Sequence, residues 1–312
     1  MVNQMKILIG YDGSEWANTA LEDLKSAGLP RNAEALVMTM ADVFLPPVNE
    51  EVDNTFPLYV PEGVKRARKH AEDKLREAES INARAVEQIE RLFPEWKVSH
   101  QAVADSPAWA IVSEADRWKP DLIVLGAQGH SVLGGRLILG SISQRVLYEA
   151  ACSVRIAHTR KSENNDLRLL IGVDGSSYSS AAVDAVCKRE WPRETEVRLL
   201  AVVDTVMTIT PDPLQPSAQN WIEVGDEENW EEVRRAFEPE AAKLQAAGLD
   251  AEIIIRRGNP TDEILEEAES WSANCIFLGA KGTRGINRLL LGSVSSAVAA
   301  RASSSVEIVR KG

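Results

Sequence analysis

Two glycine-rich stretches hold the residues of this chain best spaced to do chemistry. In "GAKGTRGINRLLLGS", two residues separate Gly279 from Gly282, nine separate Gly282 from Gly292, and Ser293 follows. "GAQGHSVLGGRLILGS" repeats the shape with Gly126, Gly129, Gly140 and Ser141, but with ten residues between Gly129 and Gly140. Each stretch follows a short apolar run and precedes a helical pattern. Glycine lets a backbone approach a ligand with no Cβ in the way, and permits positive φ. A helix start offers unpaired N–H groups and the positive end of the helix dipole, and a serine there can cap the helix or donate its hydroxyl. The chemistry is anion binding, phosphate above all. A single Gly-Ser pair reads as a plain helix cap, but three glycines at set spacing, twice in one chain, ask for more than a cap.

A carboxylate accompanies each stretch. Asp12 lies in "ILIGYDGSEWANTAL" and Asp174 in "LLIGVDGSSYSSAAV", each just after an apolar run. Asp-Gly-Ser suits a turn, and the same position suits a carboxylate that accepts hydrogen bonds from ribose hydroxyls. An aspartate at one strand end and a phosphate cradle at another would together make a nucleotide site.

The elements that must position these residues also come in two copies. "PDLIVLGAQG" matches "ANCIFLGAKG", "ACSVRIAH" matches "SSSVEIVR", and the order of matches is the same in both halves. The chain therefore reads as a tandem duplication, residues 1–160 and 167–312, joined by the polar "TRKSENND". Strands are expected near 5–10, 34–41, 96–103, 121–126 and 153–158, and again near 168–173, 195–203, 250–257, 274–279 and 305–310. Helices of the first half are expected near 14–27, 62–92, 106–118 and 141–151. Runs such as Leu122-Ile123-Val124-Leu125 are apolar at successive positions, as in parallel strands covered on both faces. Alternation of strand and helix implies an α/β fold of two doubly wound domains, each a parallel sheet flanked by helices. Ligands of such sheets sit beyond the carboxyl ends of the strands, where strand order reverses. The second connection of each half, 43–63 and 205–229, is long and proline-bearing, and reads equally as a lid or as an inert insertion.

Bulk properties exclude several classes. The net charge of −12 repels a polyanion, which disfavours nucleic acid. The run Lys65–His70 is the one local exception, and it reads as a solvated helix face. No stretch reaches the length of a membrane span, and the N-terminus lacks a signal-peptide pattern, so a cytoplasmic protein with no membrane partner is expected. Cys152, Cys187 and Cys275 are odd in number and far apart, which suits free thiols. There is no GxxxxGK[ST] or GxSxG motif, and the histidines show no zinc-ligand spacing. His130, inside the first glycine loop, reads as an exposed loop residue. No catalytic residues and no side-chain metal site are expected.

The glycine spacing, the GYDGS and GVDGS turns, the terminal strands and the loops "ADSP" and "RGNP" resemble a tandem universal stress protein. The resemblance spans nearly the whole chain, and Gly279, Gly282, Gly292 and Ser293 match the family's ATP-binding pattern in full. It implies five-stranded sheets of order 3-2-1-4-5 with ATP at the switch point, sometimes with magnesium or manganese bridging the phosphates. The implied nucleotide-binding residues are Asp174, Val202, Gly279, Gly282, Gly292, Ser293 and Val294. In the first half, where the loop is one residue longer, they are Asp12, Met40, Gly126, Gly129, Gly140, Ser141 and Ile142. The aspartates would contact ribose, and the backbone at Met40 and Val202 would contact adenine. The fifth strands, Val154–His158 and Val306–Arg310, would pair within the chain as a pseudo-dimer, and a homodimer is also compatible. The implied role is a nucleotide-dependent regulatory stress-response protein; the alternatives are a partner-docking module without nucleotide and, less favoured, a slow ATPase.

Overall fold

The computed structural model of the chain describes residues 4–43, 62–127, 139–158, 167–203, 228–281 and 291–311. The first half runs β1 (Met5–Gly10), α1 (Glu15–Asp23), β2 (Ala33–Ala41), α2 (Glu62–Leu92), β3 (Lys97–Ala104), α3 (Pro107–Trp118), β4 (Leu122–Gly126), α4 (Ser141–Glu149) and β5 (Ser153–Ala157). The second repeats the pattern with β6 (Arg168–Val173), α5 (Ser177–Cys187), β7 (Glu196–Val203), α6 (Glu228–Ala246), β8 (Asp250–Arg257), α7 (Pro260–Ser270), β9 (Cys275–Gly279), α8 (Ser293–Arg301) and β10 (Ser305–Val309).

Local chemistry accounts for these bounds. The Ser14 and Ser176 hydroxyls accept from the Ala17 and Ser179 amides and so open α1 and α5. Asn259 does the same for α7, with Pro260 in the first turn. The helix expected over 14–27 is shorter than its pattern. After Asp23 it tightens into a single 3₁₀ turn at Leu24–Ser26, and Gly28 then takes φ 61° beneath the indole of Trp191. A Cβ at Gly28 would lie 2.7 Å from that ring, so the close approach of the two halves dictates where the helix stops. Residues 65–70 lie on α2 and are exposed, with Lys65 paired to Glu62 and Arg68 to Glu72, as a solvated face requires.

The strand order is β3-β2-β1-β4-β5-β10-β9-β6-β7-β8. The two separate five-stranded parallel sheets expected from sequence are thus one continuous ten-stranded mixed sheet. The reason is the joint: β5 and β10 pair antiparallel, with Val154 opposite Ile308, Arg155 opposite Glu307 and Ile156 opposite Val306. Neither terminal strand is left with an unpaired edge, the usual liability of such strands.

Side chains alternate across this seam. On one face, Val154, Ile156, Val306 and Ile308 are fully buried in a core that both halves share with Leu8, Ile123, Leu170 and Ile276. On the other face each half keeps its own core, around Ile7 and Val124 or around Leu169 and Phe277. Between those two cores sits a buried ionic cluster. Arg155 donates from Nε to Asp23 Oδ2 at 2.5 Å and from Nη1 to Glu307 Oε2 at 3.3 Å. Arg189 donates to both oxygens of Glu307 and to the Ala27 carbonyl. Four buried aliphatic side chains contribute about 1.5–3 kcal/mol each, whereas a buried ion pair roughly breaks even against an apolar substitute. The apolar face therefore holds the seam and the ionic face fixes its register. Cys275 lies beneath Arg155 Nη1 at 3.1 Å, and burial, opposed by that guanidinium, pushes its thiol up to about 12. All three cysteines are free thiols.

Candidate functional site

Strand order reverses at β1, flanked by β2 and β4, and at β6, flanked by β7 and β9. Each reversal leaves a crevice beyond the carboxyl ends of the strands. Because β5 and β10 are antiparallel, the two crevices open at opposite rims of the sheet.

The aspartates stand at these rims as turn residues. Asp12 Oδ1 accepts from the Ser14 amide at 2.9 Å and Asp174 Oδ1 from the Ser176 amide at 3.0 Å. The following glycines, Gly13 and Gly175, take φ 76° and 75°, which explains Asp-Gly-Ser in both copies. Met40 and Val202 lie one residue before the ends of β2 and β7, paired with Val103 and Arg256, with their side chains partly buried against the shared core.

The two starts of α4 and α8 are built alike. Gly140 and Gly292 are the N-caps, with φ and ψ near −61°, 148° and −64°, 147°. Neither glycine uses positive φ. Their amides donate to the Ala127 and Ala280 carbonyls at 2.8 and 2.7 Å. The first helical bonds run from Gln144 to Gly140 and from Ser296 to Gly292. The amides of Ser141, Ile142 and Ser143, and of Ser293, Val294 and Ser295, therefore precede the helical ladder. Ser141 and Ser293 are exposed first-turn residues and not the capping side chains the sequence allows. The hydroxyls that fasten each helix belong to Ser143 and Ser295, which donate to the Gly126 and Gly279 carbonyls at 2.7 Å. The repeated Gly-Ser-x-Ser, "GSIS" and "GSVS", is the signal that could have revealed them.

The glycines divide by role. A Cβ on Gly279 would lie 2.5 Å from the Tyr178 carbonyl carbon, and one on Gly126 2.6 Å from the Trp16 carbonyl oxygen. These two glycines admit a helix against a strand end. A Cβ on Gly292 would meet nothing nearer than 3.4 Å. Gly279→Ala is expected to destabilise the fold by about 1–3 kcal/mol through overpacking, and Gly292→Ala by no more than about 0.5 kcal/mol; urea unfolding of the two variants checks this. Gly129, Gly282, His130, the rest of both glycine loops and nearly all of both long connections lie outside the described residues.

One residue of the second site went unread in the sequence. Lys281, just beyond β9, is 5 % exposed, and no described residue pairs with its ammonium. Its Cα is 3.4 Å from where a Gly292 Cβ would stand, so its backbone abuts the start of α8. The matching position of the first half is Gln128. The signal for it is the Lys-for-Gln difference between the matched tetrapeptides GAKG and GAQG. Among the described residues no group of His, Cys, Asp or Glu could hold a metal, and no helix is long and apolar enough to cross a membrane.

A model of the universal stress protein family matches residues 4–158 and 167–310. A universal stress protein of Mycolicibacterium smegmatis is 27% identical over 97% of this chain and 96% of its own length. Universal stress protein YxiE of Bacillus subtilis is 30% identical over 46% of this chain and 98% of its own length. The crystal structure of a universal stress protein from Archaeoglobus fulgidus, 21% identical, superposes with a TM-score of 0.65 and covers 98% of both chains.

Proposed function

The chain belongs to the universal stress protein family, and from that premise we propose that it is a nucleotide-dependent regulatory protein that binds ATP, chiefly in its second half. The reading rests on one observation above the rest: a buried lysine, Lys281, with no partner among the described residues, beside a helix start whose first amides precede the helical ladder. In a chain of net charge −12, a triphosphate needs such a local positive site. Residues 1–160 and 167–312 act as two domains, each with one candidate site, in a cytoplasmic setting that suits the free thiols.

In the second site, Gly279, Gly282, Gly292, Ser293 and Val294 cradle the phosphates, Asp174 accepts from the ribose and the Val202 backbone meets the adenine. Asp12, Met40, Gly126, Gly129, Gly140, Ser141 and Ile142 form the first site, in which the longer loop and Gln128 in place of lysine lower the affinity. Magnesium or manganese bridges the phosphates without a protein side chain. No general base is assigned, so turnover is slow at most. Occupancy signals by binding one conformation of the loops better than another.

Nucleotide released from the denatured, purified protein is identified by chromatography and mass spectrometry and counted per chain. Gly292→Trp is expected to abolish retention while the fold survives, and Lys281→Gln to weaken ATP binding by about tenfold or more, the scale of a charge-assisted hydrogen bond. A nucleotide-free protein whose melting is unmoved by millimolar ATP-Mg would sink the reading. It would favour the partner-docking module instead, for which the exposed Trp109 and Tyr148 on the adjoining helices α3 and α4 are the supporting observation.

A further inference from the structure

A recess of about 600 Å³ opens on the seam between the two halves and shares none of the candidate nucleotide residues. The first half lines it with Glu15 and Asn18 of α1 and with His158 after β5; the second half adds Glu269, Asn274 and Ser304. Among the described residues its lining is acidic: four carboxylates, Glu15, Glu22, Asp23 and Glu269, stand with one cation, Lys25. Asp23 is committed to Arg155 and to the Ser305 hydroxyl, and Glu22 to Lys25. Glu15 and Glu269, from opposite halves, have no side-chain partner among the described residues. His158, which lines the recess, supplies an independent observation: it is 6 % exposed, and neither ring nitrogen has a hydrogen-bond partner among the described residues. Buried polar groups are ordinarily paired.

The chain carries its own control. The duplication places Arg310 where the first half has His158. The His158 amide donates to Ser305 Oγ at 3.1 Å and the Arg310 amide to Ser153 Oγ at 3.2 Å, so the two positions are related across the seam. Arg310 lines a counterpart recess of about 310 Å³, where its guanidinium donates to the Leu147 carbonyl at 2.6 Å. There the chain supplies its own cation. In the first recess an imidazole takes the place of that guanidinium, the volume is larger and, among the described residues, carboxylates outnumber cations. The geometry points to a binding site for a small organic cation, an alkylammonium or guanidinium compound, held between Glu15 and Glu269 and so by both halves at once.

Titration calorimetry of the full chain with agmatine and with putrescine, and with succinate as the anionic control, tests this. One saturable event per chain is expected for at least one of the two cations and none for succinate. The double variant Glu15→Gln/Glu269→Gln changes two exposed side chains and is expected to weaken that event by about tenfold or more. Asn18→Arg, which places a guanidinium in the recess, is expected to remove it. ATP binding should be unchanged in both variants, which separates this site from the nucleotide reading. Two results would overturn the assignment. One is the absence of saturable heat up to about 10 mM of either cation. The other is binding that survives both variants and vanishes with added salt, the behaviour of diffuse attraction to an acidic protein.

Discussion

Replacing Arg155 by methionine is expected to lower stability by about 3–5 kcal/mol, the cost of stranding buried charge by removing its partner. Arg155 is wholly buried, as is Glu307, and the Asp23 side chain is nearly so. With the guanidinium gone, Glu307 keeps Arg189, but Asp23 keeps only the Ser305 hydroxyl at 2.7 Å. Two carboxylates would then share one cation in the buried space between the two cores of that face. Glu307→Leu should also destabilise, since it leaves Arg155 and Arg189 without the anion between them. The double variant Arg155→Met/Glu307→Leu should cost clearly less than the sum of the two, because the residues belong to one network. Denaturant unfolding of the four proteins measures this. Strict additivity of the two losses would show that the ions across the seam do not act together.

The second large effect concerns acid. Burial lowers the His158 imidazole to about 4, opposed in part by Asp23; the ring is edge-on to Trp16 and has no hydrogen-bond partner among the described residues. Unfolding restores the ordinary value of 6.5. Between these values the unfolded chain binds a proton that the folded chain refuses, so stability rises with pH there. The folded state accordingly holds this contribution in full above 6.5 and loses it as pH falls toward 4. The gap corresponds to a loss on the order of 3 kcal/mol. His158→Leu should lack this component while retaining whatever the carboxylates contribute, so the difference between the two proteins isolates the ring. Stability profiles that run parallel from pH 7 to 4 would contradict it.

Much of this architecture is visible in the amino-acid order, because the signals are local. Leu122–Leu125 and Ile276–Leu278 are apolar at consecutive positions and form strands covered on both faces. The matched Asp-Gly-Ser turns place Asp12 and Asp174 at the strand ends. What stayed hidden depends on partners far along the chain. Gly279 reads as a phosphate glycine, but its missing Cβ also makes room for the backbone at Tyr178, a contact that no spacing reveals. Ser293 looked like the cap, but Ser295 reaches back to the strand. The ionic seam did leave a mark: "SVRIA" and "SVEIV" are buried strands with one charge each, of opposite sign, at matched positions. Matched positions meet at a two-fold axis, so Arg155 and Glu307 could have been paired from that alone.

The antiparallel joining of β5 to β10 has one more consequence. A single half set free would show an unpaired strand at that side and would have to find a mate in solution, at a rate and extent set by how much protein is present. Tethering supplies the mate in cis, at a fixed effective concentration. Dilution therefore leaves the joint intact, and any larger assembly of this chain has to be made with a different surface.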